Sequence, residues 1–288
     1  MMSRCMNLVG QYIRKNCCSY YFIISVVIYS GLMFASTFKE IQWHVANNAD
    51  AGLYYYLRFA YQNGSTSYIL PIICAISSCL TFCREWRSGA FLYYYSRVGR
   101  LSYACASCIS SAATAFITSL SGGLLYVIAT SGVTSFAGDQ DGIMLEQITM
   151  AYANGQLIAD GQYILYYFIA LATQGAFMAF MAALTMLVST FLLDPYLTMV
   201  SPMVLYILLT NIISMLGLPM LMNPYHVFSS LNTINRIMYT DMWQSIENVY
   251  NFSIWSCLYP FAYAVIGIVI FSGLTHLSLR NKLERRRL

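Results

Sequence analysis

Charge is what this sequence most lacks. Of its 288 residues only 9% are Asp, Glu, Lys or Arg, against 59% hydrophobic, whereas soluble domains carry about 25% charged residues. Bulk water cannot be the main solvent of such a chain. Histidine numbers only 3: His44 and His226 fall in connecting segments on one side and His276 at a helix end on the other, so no two are placed to share a metal. Neither G-x-x-x-x-G-K-[ST] nor H-E-x-x-H occurs, which excludes a P-loop nucleotide site and that class of zinc centre. The predicted span interiors hold no histidine to act as base for intramembrane proteolysis, and no buried ionisable group to couple transport to an ion. The expectation is a chain that is not an enzyme, with no catalytic residue, metal or cofactor of its own.

What is present is length without charge. Uncharged runs extend over 16–38, 59–83, 101–138, 161–193, 195–225 and 248–275, and a bilayer-spanning helix needs about 20 residues. The runs are continuous rather than alternating, so helices and not a barrel are predicted. The fold class is an all-α integral membrane protein, one domain of six transmembrane helices near Tyr20–Phe38, Ser67–Cys83, Leu101–Thr130, Gln162–Leu192, Leu197–Leu221 and Phe252–His276. Asp194-Pro195-Tyr196 is the whole link between the fourth and fifth spans, where proline stops one helix and starts the next. The segment 222–251 opens on Asn223-Pro224 and stays amphipathic, so short surface helices are expected there.

Lys and Arg resist translocation and so report orientation. With both termini cytoplasmic, the inner segments hold Arg4, Arg14, Lys15, Arg84, Arg87, Arg97, Arg100, Arg280, Lys282, Arg285, Arg286 and Arg287, and the outer ones only Lys39, Arg58 and Arg236. Eight of the eleven acidic residues sort to the outer side. The net charge of +4 thus conceals a polarised molecule whose basic side faces anionic lipid and cytosol, and no nucleic acid is needed to explain it.

Residues 1–19 read as an amphipathic connecting helix. At 100° per residue Met2, Met6, Val9, Ile13 and Cys17 gather on one face, and Arg4, Asn7, Gln11, Arg14 and Lys15 on the other. An interfacial helix is expected, its apolar face in the leaflet boundary and its basic face toward headgroups or a cytosolic partner. Residues 20–276 form the six-helix domain and 277–288 a basic cytoplasmic tail. The 9 cysteines all fall in predicted spans or on the inner side, where thiols pack as small hydrophobes; Cys17 and Cys18 are also open to acylation. The runs Tyr54–Tyr56, Tyr93–Tyr95 and Tyr166–Tyr167 read as an interfacial aromatic belt, the alternative being the lining of a path for an amphiphile.

The densest charge lies in "FCREWRSGAFLYYYSRVGR", residues 82–100. The second span is expected to continue through Glu85, Trp86 and Arg87 and turn at Ser88-Gly89, where glycine permits a left-handed cap. A short aromatic helix over Phe91–Ser96 follows, and Val98-Gly99-Arg100 turns the chain into the third span. The product is a rigid elbow between two spans.

E-x-x-x-G, seven residues, then R-x-x-R-x-x-Y, here Glu85, Gly89, Arg97, Arg100 and Tyr103, resembles the loop between the second and third spans of ABC type-2 export permeases. The layout of six spans, amphipathic start and cytoplasmic termini is similar over the whole chain, while the motif covers about twenty residues. The family often carries a lysine a few residues into the third span, where this chain reads "ACASC". The resemblance implies a permease subunit of an ATP-binding cassette exporter in a bacterial inner (plasma) membrane, moving an amphiphilic or hydrophobic substrate such as a peptide, lipid or drug. It further implies two copies of a separate P-loop ATPase subunit, which binds ATP and Mg, and a second permease subunit, identical or paralogous. The elbow, with Arg84, Glu85, Arg87, Gly89, Arg97, Arg100 and Tyr103, would be the ATPase-coupling loop, Glu85 and the arginines contacting the ATPase, with Arg4, Arg14 and Lys15 of the connecting helix beside it. Arginines that merely reach for headgroups would explain the charge but not the Glu-to-Gly spacing. Read from the residues alone, a stand-alone flippase or secondary carrier and a non-transporting scaffold or sensor subunit remain open.

Overall fold

In lipid a backbone N–H or C=O finds no water, so an uncharged run must satisfy its own hydrogen bonds as a helix. The computed structural model describes residues 2–47, 51–62, 64–136, 157–158, 160–216, 224–228 and 254–285, and every regular element among them is helical. In chain order these are α1 (Met2–Cys17), α2 (Tyr20–Ala46), α3 (Gly52–Gln62), α4 (Gly64–Ser78), α5 (Leu80–Ser88), α6 (Ala90–Val98), α7 (Arg100–Ser131), α8 (Tyr163–Leu192), α9 (Pro195–Met215), α10 (Pro224–Phe228) and α11 (Ile254–Arg285). Six stretches are long and apolar enough to cross a bilayer: Tyr20–Ala46, Thr66–Ser88, Arg100–Ser131, Tyr163–Leu192, Pro195–Ile213 and Leu258–Glu284. The second joins α4 and α5 across Cys79, whose amide still donates helically to Ala75 O at 2.8 Å. This is a multi-pass membrane fold, with the six spans where the uncharged runs put them.

Several boundaries differ from expectation. The sixth span runs past His276 as α11 to Arg285, taking in most of the stretch read as a tail. The first span does not stop at Phe38 but continues as α2 to Ala46, carrying Lys39 and Glu40 on the same helix. Its 27 residues reach about 40 Å at 1.5 Å per residue, so the far end stands clear of a hydrocarbon core of about 30 Å. The segment after it is not an open connection, because α3 buries Leu53, Leu57 and Ala60 against the bundle. Of the amphipathic stretch after Met222, α10 is helical as expected, and residues 229–253 lie outside the described residues.

The bundle has an inside and an outside. In α8, 78% of the most apolar stretch is buried, against 22% in α9 and 28% in α2 and α11, so the fourth span is the central post and those three lie at the outside of the bundle. Apolar attraction cannot hold helices together when lipid is equally apolar; close approach of small residues and hydroxyl hydrogen bonds do that work. A Cβ on Gly122 would stand 2.6 Å from Tyr29 Cδ1 and 3.0 Å from Tyr29 Cβ, and one on Gly175 2.8 Å from Phe116 Cδ2. Hydroxyls pair between helices: Tyr29 with Ser119 at 2.8 Å, Ser77 with Thr118 at 3.0 Å, Thr190 with Ser278 at 2.8 Å, and Tyr126 donates to Thr37 at 3.2 Å.

The belt reading of the tyrosine runs does not hold for most of them. Tyr54, Tyr56, Tyr166 and Tyr167 are buried in the protein, as is Tyr95, while Tyr93 is exposed. A buried phenol is tolerated where its hydroxyl has a partner, as Tyr167 has in Phe136 O at 2.9 Å. The eight described cysteines are all free thiols.

Candidate functional site

The basic end has a core of its own. Leu8, Val9 and Tyr12 of α1, Phe82 of α5, Phe91 and Tyr95 of α6, Tyr103 of α7, Met186 of α8 and Leu279 of α11 pack as one cluster. It gathers both chain ends and the elbow at the same end of the bundle. Rings meet edge-on, Phe82 to Phe91 at 5.8 Å and Phe91 to Tyr103 at 5.4 Å, the arrangement that aromatic quadrupoles favour.

The face of α1 that builds this core overlaps the one read from the helical wheel at Val9 and Ile13 but is rotated from it toward Leu8 and Tyr12. Leu8, Val9, Tyr12 and Asn16 are buried, while Met6 is 59% exposed. The helix lies against α7, with Cys5 and Ile13 at the edge of the cluster, so its buried face meets protein rather than the leaflet. Arg14 and Lys15 are exposed as expected; the side chain of Arg4 lies outside the described residues.

The elbow forms where it is predicted. Gly89 ends α5 at φ 74°, its amide donating to Trp86 O at 3.3 Å, and starts α6; Gly99, at φ 96°, joins α6 to α7. Any side chain at either position would strain a left-handed backbone, so the two glycines fix the angle of α6 to the spans on both sides.

Glu85 departs from its expected place. It is only 4% exposed and points inward, where Oε2 accepts from Tyr103 Oη at 2.7 Å and from Tyr12 Oη at 3.0 Å; Oε1 has no hydrogen-bond partner. Burial, and then the Glu85 carboxylate, push the Tyr12 phenol well above its ordinary range, so it remains a donor at any physiological pH. Glu85 is therefore a positioning residue that ties α1, α5 and α7 together through one atom. Two phenols on a carboxylate oxygen are charge-assisted bonds, stronger than neutral ones. The carboxylate is not on the surface. Tyr12 escaped the reading of the sequence because nothing in a single amphipathic helix distinguishes a tyrosine facing a carboxylate from one facing lipid.

The four elbow arginines are all exposed, and they diverge. Arg84 lies 4.7 Å over the Tyr21 ring. Arg87 Nη2 is 3.3 Å from Asp194 Oδ2, which fastens the elbow to the link between α8 and α9. Asp194 Oδ1 in turn accepts from the amides of Tyr196 at 2.8 Å and Leu197 at 3.1 Å, capping α9. Arg97 bonds the Tyr93 hydroxyl and stands 5.6 Å from that ring. Arg100 borders a cleft of about 640 Å³ with Tyr95, Ser96, Arg280 and Glu284. A second cleft of about 540 Å³ lies on the other side of α6, between it and Asn7 and Gln11 of α1. The helix α6 is thus a ridge between two clefts with arginine on its flanks, a shape suited to seating on another protein. Among the described residues no three His, Cys, Asp or Glu side chains converge as a metal site would require.

No protein-family model, curated protein or solved structure matches the chain.

Proposed function

We propose that the chain is the permease subunit of an ATP-binding cassette exporter, with the basic end cytoplasmic and α6 the element on which a separate ATPase pushes. The observation that carries this reading is the construction of the elbow. Three exposed arginines, Arg84, Arg87 and Arg97, stand on a helix–glycine–helix unit and a fourth, Arg100, opens the next helix; the unit is braced from within by Glu85 against the connecting helix and the third span. A loop that only reaches headgroups needs no internal brace. A loop that must deliver displacement to two spans does. The span interiors have no charged side chain to power movement, in keeping with energy supplied from a P-loop partner bearing ATP and Mg. By the same resemblance the assembly has two ATPases and two permeases, in a bacterial inner membrane, and exports an amphiphilic or hydrophobic cargo.

The test is charge reversal on the ridge. Co-expression with candidate P-loop ATPases of the source organism, copurification, and ATPase assay in proteoliposomes should show stimulation of one of them by the intact chain and its loss, by about tenfold or more, in Arg97→Glu/Arg100→Glu, while the variant still inserts and folds. Retained stimulation in that variant, or uphill transport by the purified chain without nucleotide, overturns the proposal.

A further inference from the structure

We propose that the corner where α1 meets α2 and α5 is a binding site for one anionic phospholipid, its phosphate held by Lys15 and Arg84 and its acyl chains laid along the exposed face of α2. This is independent of any transport role. The corner is built rather than incidental. Asn16 is buried and two-sided: its Nδ2 donates to Thr114 at 3.4 Å on α7, and its Oδ1 accepts from Thr81 at 3.1 Å on α5. That joint holds Lys15, the preceding residue, beside α5, and Arg84 stands one turn beyond Thr81 on the same helix. Arg84 is set 4.7 Å over the ring of Tyr21 in the first turn of α2, so α5 meets α1 through Thr81 and α2 through this guanidinium.

The charge there is only partly compensated, Lys15 lying within electrostatic reach of Glu85. Among the described residues the two salt bridges are Arg87 with Asp194 and Arg280 with Glu284, and neither Lys15 nor Arg84 joins one. The nearby carboxylate, Glu85, is buried with Oε2 taken by two phenols. The N-terminus of α2, capped by Ser19 through Phe22 N at 3.3 Å, adds the positive end of a helix dipole.

Directly along the membrane from this charge runs an apolar stripe. Tyr20, Ile23, Ile24, Val27 and Ile28 are exposed, and their spacing of three and four places them on one line of α2. A dissolved anion would use the cations alone, whereas a phospholipid uses cations and stripe together. Basic pockets between spans select anionic headgroups, and tyrosine at the start of a span sits at headgroup depth.

The full-length protein in mild detergent, titrated with phosphatidylglycerol or phosphatidylcholine of identical chains and read by native mass spectrometry, should retain one phosphatidylglycerol with at least fivefold preference. Lys15→Gln/Arg84→Gln should bring that preference close to one, and Lys15→Gln alone, on an exposed side chain, should reduce it by half or more. Arg280→Gln/Arg285→Gln, the same charge change in the basic tail, should leave it intact. Val27→Ser/Ile28→Ser should weaken both lipids without altering the preference. Equal loss in the tail variant, an unchanged preference in Lys15→Gln, or displacement of the lipid by millimolar inorganic phosphate overturns the proposal.

Discussion

Among the described residues the two largest cores are held by different means. Within the spans, helices meet through glycines and paired hydroxyls: Gly122 under Tyr29, Ser77 with Thr118, Thr190 with Ser278. At the basic end the contacts are large rings around one carboxylate, Glu85 between Tyr12 and Tyr103. The difference follows from solvent. Lipid rewards neither core for being apolar, so the spans depend on close approach and polar pairing, whereas next to water burial of Phe82, Phe91 and Leu279 is itself stabilising. Two consequences separate the regions: the first should be sensitive to added atoms, the second to a lost acceptor.

The largest test of that contrast is Glu85→Leu. It removes the acceptor that two buried phenol hydroxyls share, at roughly 1–3 kcal/mol for each one left unsatisfied. Hydrogen exchange in detergent should rise in α1 and α6 while α8 stays protected; an equal rise in α8 would mean that the two cores are one. Next comes Gly122→Ala, whose methyl meets Tyr29 Cβ as well as its ring and cannot be relieved by a simple rotation. Overpacking of this kind costs about 1–3 kcal/mol, visible as a lowered thermal midpoint with the elbow's exchange pattern unchanged. A finer comparison sets Tyr103→Phe against Tyr29→Phe. The first loses a bond to a carboxylate, about 1.5–3 kcal/mol, and the second a bond to Ser119, about 0.5–1.5 kcal/mol, so the midpoint should fall further for Tyr103. Smallest is Arg87→Gln. Its salt bridge is half-exposed and is worth about 1 kcal/mol or less, so stability should hardly change.

The sequence makes the spans legible because a charge-free run of sufficient length has only one conformation open to it in lipid. It makes the elbow legible because Gly89 and Gly99 punctuate a charged aromatic stretch at the positions where left-handed residues are required. The packing faces are another matter. Within a bilayer the residues that touch lipid and those that touch helix are both apolar, so Val27 and Met33 look alike although one is exposed and the other fully buried. The same ambiguity hid the true face of α1 and the inward course of Tyr54 and Tyr56. Glu85 misled in the opposite sense: a lone acid among arginines reads as a surface charge, and only the arrival of Tyr12 from 73 residues away and Tyr103 from the next span makes a buried position tenable.

Asp194 grips on both sides at once. One oxygen holds the opening amides of α9 and the other holds Arg87, so whatever shifts the elbow sideways tugs at the root of the fifth span, α9, without passing through the bundle interior. Neutralising that tether as Asn, which keeps an oxygen for the amides but loses the charge facing Arg87, or cutting it with Ala, would let the two ends of the linkage slip relative to each other while every span kept its place.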